Sequence, residues 1–96
     1  MVKKQKLYQK IINSQKNVKF NDLLRLVQAF GFELDRIKGS HHTFKHPEIE
    51  DAFLQLQPTK NNEAKPYQIK QFLSLIEEYN LKLNGDSEDE DEGEND

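Results

Sequence analysis

The fold of this chain is decided by residues 38–47, which read KGSHHTFKHP. The Gly39-Ser40 pair is typical of a tight hairpin turn, and the alternating residues after it, closed by a proline, are typical of a short strand. We therefore predict a strand from His41 to His46, paired through this turn with the segment before it.

The segment before the turn also has the period of a strand. Phe32 and Leu34 alternate with acidic residues, which predicts a half-buried strand reaching about Lys38. Ile37 breaks the alternation, which indicates a β-bulge or an end of strand pairing nearby.

A third strand is predicted after the hairpin. Residues 47–51 read as a polar connection, and residues 52–57 alternate again. Leu54 and Leu56 fall on one face of this strand, and Phe53 falls on the other with two glutamines. The three strands are predicted to form an antiparallel meander.

The remaining segments have the spacing of helices. Apolar residues four apart predict a helix over residues 3–14, and a second helix is predicted from an N-cap at Asn21 to Gly31. Pro66 suits the first turn of a last helix, for which Asn80 is a candidate C-cap. The predicted fold is α+β, a two-layer sandwich with its helices on one face of the sheet and the order α-α-β-β-β-α.

Charge is divided unevenly along the chain. Residues 86–96 hold eight acidic residues, whereas the first 85 residues hold all 14 Lys and Arg against nine acidic residues, a net charge of about +5. No apolar residue follows Leu83, so we expect a disordered acidic tail over residues 85–96. The other predicted parts are a helical extension over residues 1–18 and a folded domain over residues 19–84.

Composition argues against several classes of protein. The 96 residues include no cysteine, which argues against a disulfide scaffold or a thiolate metal site. No apolar run approaches the roughly 18 residues of a membrane span, and the N-terminus lacks the apolar stretch of a signal peptide. We expect a cytoplasmic protein with no membrane contact.

The histidines are the candidate reactive groups, because histidine takes and gives a proton near neutral pH. Neighbouring strand residues point to opposite faces, so His41 shares a face with Thr43 and Lys45, and His42 shares the other with Phe44. If Phe44 faces the helices, His41 lies on the open face. His41 is therefore the preferred catalytic candidate and His42 the alternative, and an ordinary hairpin without chemistry is the competing interpretation.

A metal site is not expected in this hairpin. His42 and His46 are predicted to lie about 13 Å apart, at roughly 3.3 Å per residue, whereas two ligands of one zinc ion lie within about 4 Å of each other. We predict no metal and no cofactor.

Several lysines are candidates for binding phosphate. They cluster around the hairpin and the start of the last helix, and those of the first helix are interpreted as a solvated face. Lys65 is favoured because a helix N-terminus itself attracts anions. The candidates are Lys38, Lys45, Lys60 and Lys65.

Taken together, these motifs resemble the HicA family of toxins from bacterial and archaeal toxin–antitoxin pairs. The resemblance covers about residues 20–83. It is carried by FGF at residues 30–32, by KGSHHTFKHP at residues 38–47, by the strand that follows, and by Lys65-Pro66 at the start of the last helix.

The resemblance implies a fold like a double-stranded RNA-binding domain, a metal-independent ribonuclease activity on mRNA, and neutralisation by a HicB-like antitoxin. It implies that the catalytic histidine follows the glycine turn, as His41 does. His42 stays the alternative, since some members place the histidine one residue later. Gly39 and Ser40 of the turn join the lysines as candidate RNA contacts. The competing hypotheses are a non-catalytic module for duplex RNA and a partner protein that pairs through its strand edge.

Overall fold

The computed structural model describes residues 4–83, which form three helices and one antiparallel sheet in the predicted order. The elements are α1 (Lys4–Asn13), α2 (Phe20–Ala29), β1 (Glu33–Lys38), β2 (His41–His46), β3 (Ile49–Leu56) and α3 (Pro66–Glu78). The strands lie side by side as β1-β2-β3, so the predicted α+β meander is confirmed. The predicted acidic tail lies outside the described residues. None of the helices described is long and apolar enough to cross a membrane.

The hydrophobic core lies between the helices and one face of the sheet. The sheet contributes Phe44, Leu54 and Leu56, each at most 1% exposed. The helices contribute residues at the predicted spacing, which are Leu7, Ile11, Leu23, Leu26, Val27, Ile69, Phe72 and Ile76. Because Phe44 is buried against the helices, the neighbouring residues of β2 face the open side of the sheet.

Helices α2 and α3 end in the same motif. Gly31 and Asn80 adopt left-handed backbone conformations, with φ of 101° and 52°. The N–H of Gly31 donates to the carbonyl of Gln28, and the N–H of Leu81 donates to the carbonyl of Ile76. These bonds belong to Schellman motifs, which satisfy the last carbonyls of a helix. The predicted end of α2 at Gly31 is confirmed, whereas the C-cap of α3 is Tyr79, and Asn80, the predicted C-cap, is the residue after it.

The start of α2 differs from the prediction. The sequence predicts an N-cap at Asn21, but the helix begins at Phe20 after Lys19, which makes no side-chain cap hydrogen bond. The N–H of Phe20 donates instead to the carbonyl of Asn62 at 3.0 Å. A contact distant in sequence therefore satisfies a helix-end donor that a local cap was expected to satisfy.

Strand β1 is exposed along its whole length, so the prediction of a half-buried strand is wrong. Phe32 is buried but precedes the strand, and Leu34 and Ile37 are 43% and 54% exposed. β1 forms one edge of the sheet, whereas α3 packs against β3 at the opposite edge. Alternation in the sequence correctly assigns Leu34 to the same face as Phe44, but it does not tell whether a helix covers that part of the face.

The bulge that Ile37 indicates lies two residues earlier, at Asp35. The pairing of β1 with β2 shifts register immediately before Arg36, which leaves Asp35 as an extra residue. Beyond the bulge, Arg36 pairs with Thr43. One extra residue thus turns Arg36 to the open face, where His41 also lies.

Strand β3 begins at Ile49 instead of Ala52, so the predicted polar connection over residues 47–51 is reduced to a two-residue turn. The added residues lie beside a second register irregularity, next to His46. They are mostly acidic and exposed, and a strand segment without apolar alternation gives no periodic signal in the sequence.

Candidate active site

His41 is the first residue of β2 and lies exposed on the open face of the sheet. The turn before it is tight because Gly39 adopts a φ of 61°, a left-handed conformation that two-residue hairpin loops require. Across the hairpin, Lys38 pairs directly with His41. The turn therefore places a cation beside an accessible imidazole.

His41 lines a charged cavity of about 380 Å³ on the open face. The ionic residues around it are Asp35, Arg36, Lys38 and Lys45. The carboxylate of Asp35 accepts a hydrogen bond from Arg36 Nε at 3.4 Å and lies 3.9 Å from Lys45 Nζ. Since three cations face one carboxylate, the cavity is electropositive and suits a phosphate group.

His41 also lines a second cavity, of about 280 Å³, whose lining includes no Asp, Glu, Lys or Arg side chain. Its other residues are amides and aromatics, namely Phe53, Gln55, Gln57, Tyr67, Gln68 and Gln71. Phe53 and Gln55 line the charged cavity as well, so the two cavities adjoin across β3. His41 thus lies where a charged region meets an uncharged one.

A hydrogen-bond chain holds the parts of this site together. Gln57 Nε2 donates to Ser40 Oγ at 3.2 Å, and the Gln57 N–H donates to Gln68 Oε1 at 3.0 Å. Gln68 is only 7% exposed. The hairpin turn, the end of β3 and the first turn of α3 are therefore linked, and the hydroxyl of Ser40 has a partner within the protein.

His42 lies on the helix side of the sheet and is half-buried. Its ring packs edge-on against the ring of Phe20, with centroids 5.2 Å apart. Its Nδ1 lies 3.1 Å from the carbonyl oxygen of Ser40, and since a carbonyl only accepts, Nδ1 carries the proton in this contact. His42 lines neither of the cavities that His41 lines.

His46, at the far end of β2, also packs on the helix side. Its ring meets the ring of Phe32 edge-on at 5.4 Å, and its Nδ1 accepts a hydrogen bond from the N–H of Glu48 at 3.2 Å. It lines a separate cavity of about 600 Å³. Tyr79 lines the same cavity, and burial, together with the carboxylates of Glu78 and Asp51, raises its pKa above the ordinary value of a tyrosine. Through its hydrogen bond with Glu48, His46 supports the turn between β2 and β3.

The structure brings two of the four predicted lysines to His41. Lys38 and Lys45 line the charged cavity, whereas Lys60 and Lys65 line neither cavity that contains His41. Lys60 is exposed in the loop before α3, and Lys65 is half-buried at the N-cap position of that helix.

Arg36 is the cation of the charged cavity that sequence reasoning missed. In an uninterrupted strand it would share a face with Leu34 on the helix side, and the bulge at Asp35 moves it to the open face. The break in alternation at Ile37 was the signal that could have placed it. Phe53 and Tyr67 were also missed, because an exposed aromatic has no distinctive spacing in the sequence.

Metal ligands do not cluster in the described part of the chain. Across residues 4–83, no group of three or more His, Cys, Asp or Glu side chains is arranged to hold a metal ion. Independence of metal therefore stays a prediction, which chelators can test.

Comparison with known proteins gives one match. A family model, for the HicA toxin of bacterial toxin–antitoxin systems, matches residues 20–77. That span runs from the first residue of α2 almost to the end of α3 and includes both cavities around His41. No curated protein and no solved structure gives a significant match.

Proposed function

This chain belongs to the HicA toxin family, and on that premise we propose that it is an endoribonuclease that cuts mRNA without a metal ion, with His41 as the general base. A HicB-like antitoxin would neutralise it, and the cytoplasm, where mRNA is translated, would be its place of action. The folded domain over residues 19–84 would carry this activity.

The observation that carries the proposal is the position of His41. Its exposed imidazole lies on the open face, in an electropositive cavity with Arg36, Lys38 and Lys45. An RNA backbone placed there would set a phosphate among the cations and a ribose near the imidazole. Placement of a base next to bound phosphate is the arrangement that transfer of a ribose proton needs.

The proposed reaction is an internal transfer at phosphorus. His41 takes the proton of a ribose 2′-OH, and the 2′-oxygen forms a bond to the adjacent phosphorus while the bond from phosphorus to the 5′-oxygen of the next nucleotide breaks. The products are a 2′,3′-cyclic phosphate and a 5′-hydroxyl. The cations of the cavity hold the charge that develops on the phosphate oxygens.

The leaving 5′-oxygen needs a proton, and no second histidine of residues 4–83 is available on the open face. His42 and His46 both lie on the helix side. Protonation therefore falls to water or to Lys38 or Lys45. Because general acid–base groups contribute about 10²–10⁴-fold each, we expect slow turnover.

The test is cleavage of a defined RNA by the purified chain, with His41→Ala and His42→Ala compared under the same conditions. We expect His41→Ala to abolish cleavage with a change in unfolding free energy of no more than about 1 kcal/mol, as at an exposed position. His42→Ala should still cleave. The reverse pattern would assign catalysis to His42. Duplex binding by a wild-type chain that cuts no RNA would favour the non-catalytic RNA-binding module instead.

A further inference from the structure

The uncharged cavity beside His41 has a composition that phosphate binding does not explain. Apart from His41, it is lined by amides and aromatics, whereas Arg36, Lys38 and Lys45 line the adjoining cavity. Phe53 is 49% exposed and Tyr67 is 64% exposed. Two exposed aromatic side chains in one cavity lose water-exposed apolar surface only when a ligand covers them.

We propose that this cavity is a nucleobase subsite for single-stranded RNA, in which a base next to the cleaved phosphate stacks on Phe53 and Tyr67. This inference rests on the proposed function, since it names the form of RNA that the same site accepts. The volume of this cavity, about 280 Å³, lies just under the range of about 300–1,000 Å³ for pockets of drug-sized ligands. One flat base is therefore a fitting occupant.

The chemistry of the walls matches a base and not a sugar phosphate. Every base has a π-face, so stacking on an aromatic side chain tolerates different sequences. Amide side chains both donate and accept hydrogen bonds, which lets Gln55 and Gln71 meet the edge of a base. The two cavities together would then bind one nucleotide in two parts, with the phosphate among the cations and the base among the amides.

The same geometry disfavours a duplex at this site. Bases in a duplex are paired and stacked on one another, so their faces are not available to Phe53, and duplex RNA is bound through its shape, 2′-hydroxyls and phosphates. Single-stranded RNA can turn a base out onto an aromatic side chain. The subsite therefore selects unpaired segments of an mRNA.

The experiment measures binding without cleavage. The probe is a fluorescein-labelled, single-stranded oligonucleotide with 2′-O-methyl groups, which removes the attacking hydroxyl, and the readout is fluorescence anisotropy with the full chain. We expect Phe53→Ala to raise the Kd about 5- to 150-fold, equivalent to about 1–3 kcal/mol of stacking. Phe53→Tyr should stay within about twofold of wild type, because it keeps the ring.

The matched control is Ile12→Ala, which removes a side chain of similar exposure (43%) from α1. It should leave the Kd unchanged. A second control removes single bases from the oligonucleotide: one abasic position should weaken binding by the wild type, and should have little further effect on Phe53→Ala. Circular dichroism confirms that each variant is folded.

Several outcomes would overturn the subsite. They are an unchanged Kd for Phe53→Ala, an equal loss for Ile12→Ala, tighter and equally Phe53-dependent binding of the duplexed oligonucleotide, and no binding of the single strand by wild type. Failure of the proposed function would look different. If binding depends on Phe53 but natural RNA is not cleaved, the base subsite is supported and the ribonuclease activity is contradicted.

Discussion

Two phenylalanines of adjacent strands allow the layer arrangement to be tested by one matched pair of substitutions. Phe44 is 1% exposed and points into the core, whereas Phe53 is 49% exposed on the open face. Replacing a buried Phe by Ala costs about 3–5 kcal/mol. Full burial of such a side chain stabilises the fold by about 1.5–3 kcal/mol. Because Phe53 is only half-buried, Phe53→Ala should lower the free energy of unfolding by only about 0.8–1.5 kcal/mol.

The assay is urea unfolding followed by far-UV circular dichroism, with the free energy of unfolding extrapolated to water. The free energy of unfolding of a small domain is only about 5–15 kcal/mol, so Phe44→Ala should remove a large part of it. If that variant is unfolded without urea, Phe44→Leu gives a measurable intermediate loss because it keeps most of the volume.

Equal destabilisation by Phe44→Ala and Phe53→Ala would refute the assignment of faces, as would a larger loss for Phe53→Ala. A folded but inactive Phe44→Ala protein would mean that Phe44 faces the substrate. Either result would also displace His41 from the open face, because its side is fixed by its position relative to Phe44.

Three further predictions follow from the turn, the ligand clusters and the charge distribution. Gly39→Ala should lower the free energy of unfolding by about 1 kcal/mol, because the φ of 61° is strained for alanine although its Cβ would meet nothing within 4 Å. Gly39→Asn should lower it less, and a loss several times larger for Gly39→Ala in thermal unfolding would indicate a steric clash instead. EDTA should leave RNA cleavage unchanged, since the described residues form no metal-binding cluster, and activity that EDTA removes and a divalent ion restores would contradict the single-histidine mechanism. Residues 86–96 include eight acidic residues, which should repel RNA at long range, so their deletion should tighten RNA binding at low salt but hardly at high salt. A gain in affinity that persists at high salt would contradict this repulsion.

The order of elements, the bounds of β2 and the face of each of its residues could be predicted from the sequence. Their signals are local: the Gly39 turn, the proline at residue 47 and strict alternation between them. The burial of β1 could not be predicted, since Leu34 has the spacing of a core residue but lies at a sheet edge. The start of α2 could not be predicted either, because the N–H of Phe20 donates to the carbonyl of Asn62, more than 40 residues away.

The candidate site was predictable in part for the same reason. His41, Lys38 and Lys45 lie on or beside one hairpin, so strand parity alone brings them together. Phe53 and Tyr67 come from β3 and α3, and only the packing of those elements shows that they share a cavity with His41. Arg36 depends on the position of a bulge, which the sequence indicates only to within two residues.

The bulge at Asp35 has a consequence for how such a site can change during evolution. Point substitutions at Arg36 alter the charge of the cavity but leave the direction of the backbone as it is. Deletion of Asp35, the extra residue, would instead leave a regular strand in which Arg36 directly follows Leu34 and keeps Thr43 as its partner. Arg36 would stay on the open face, and the cavity would lose its one carboxylate while keeping its three cations. A one-residue deletion in this edge strand, which the helices leave uncovered, is therefore a single-step route to a more strongly cationic open face.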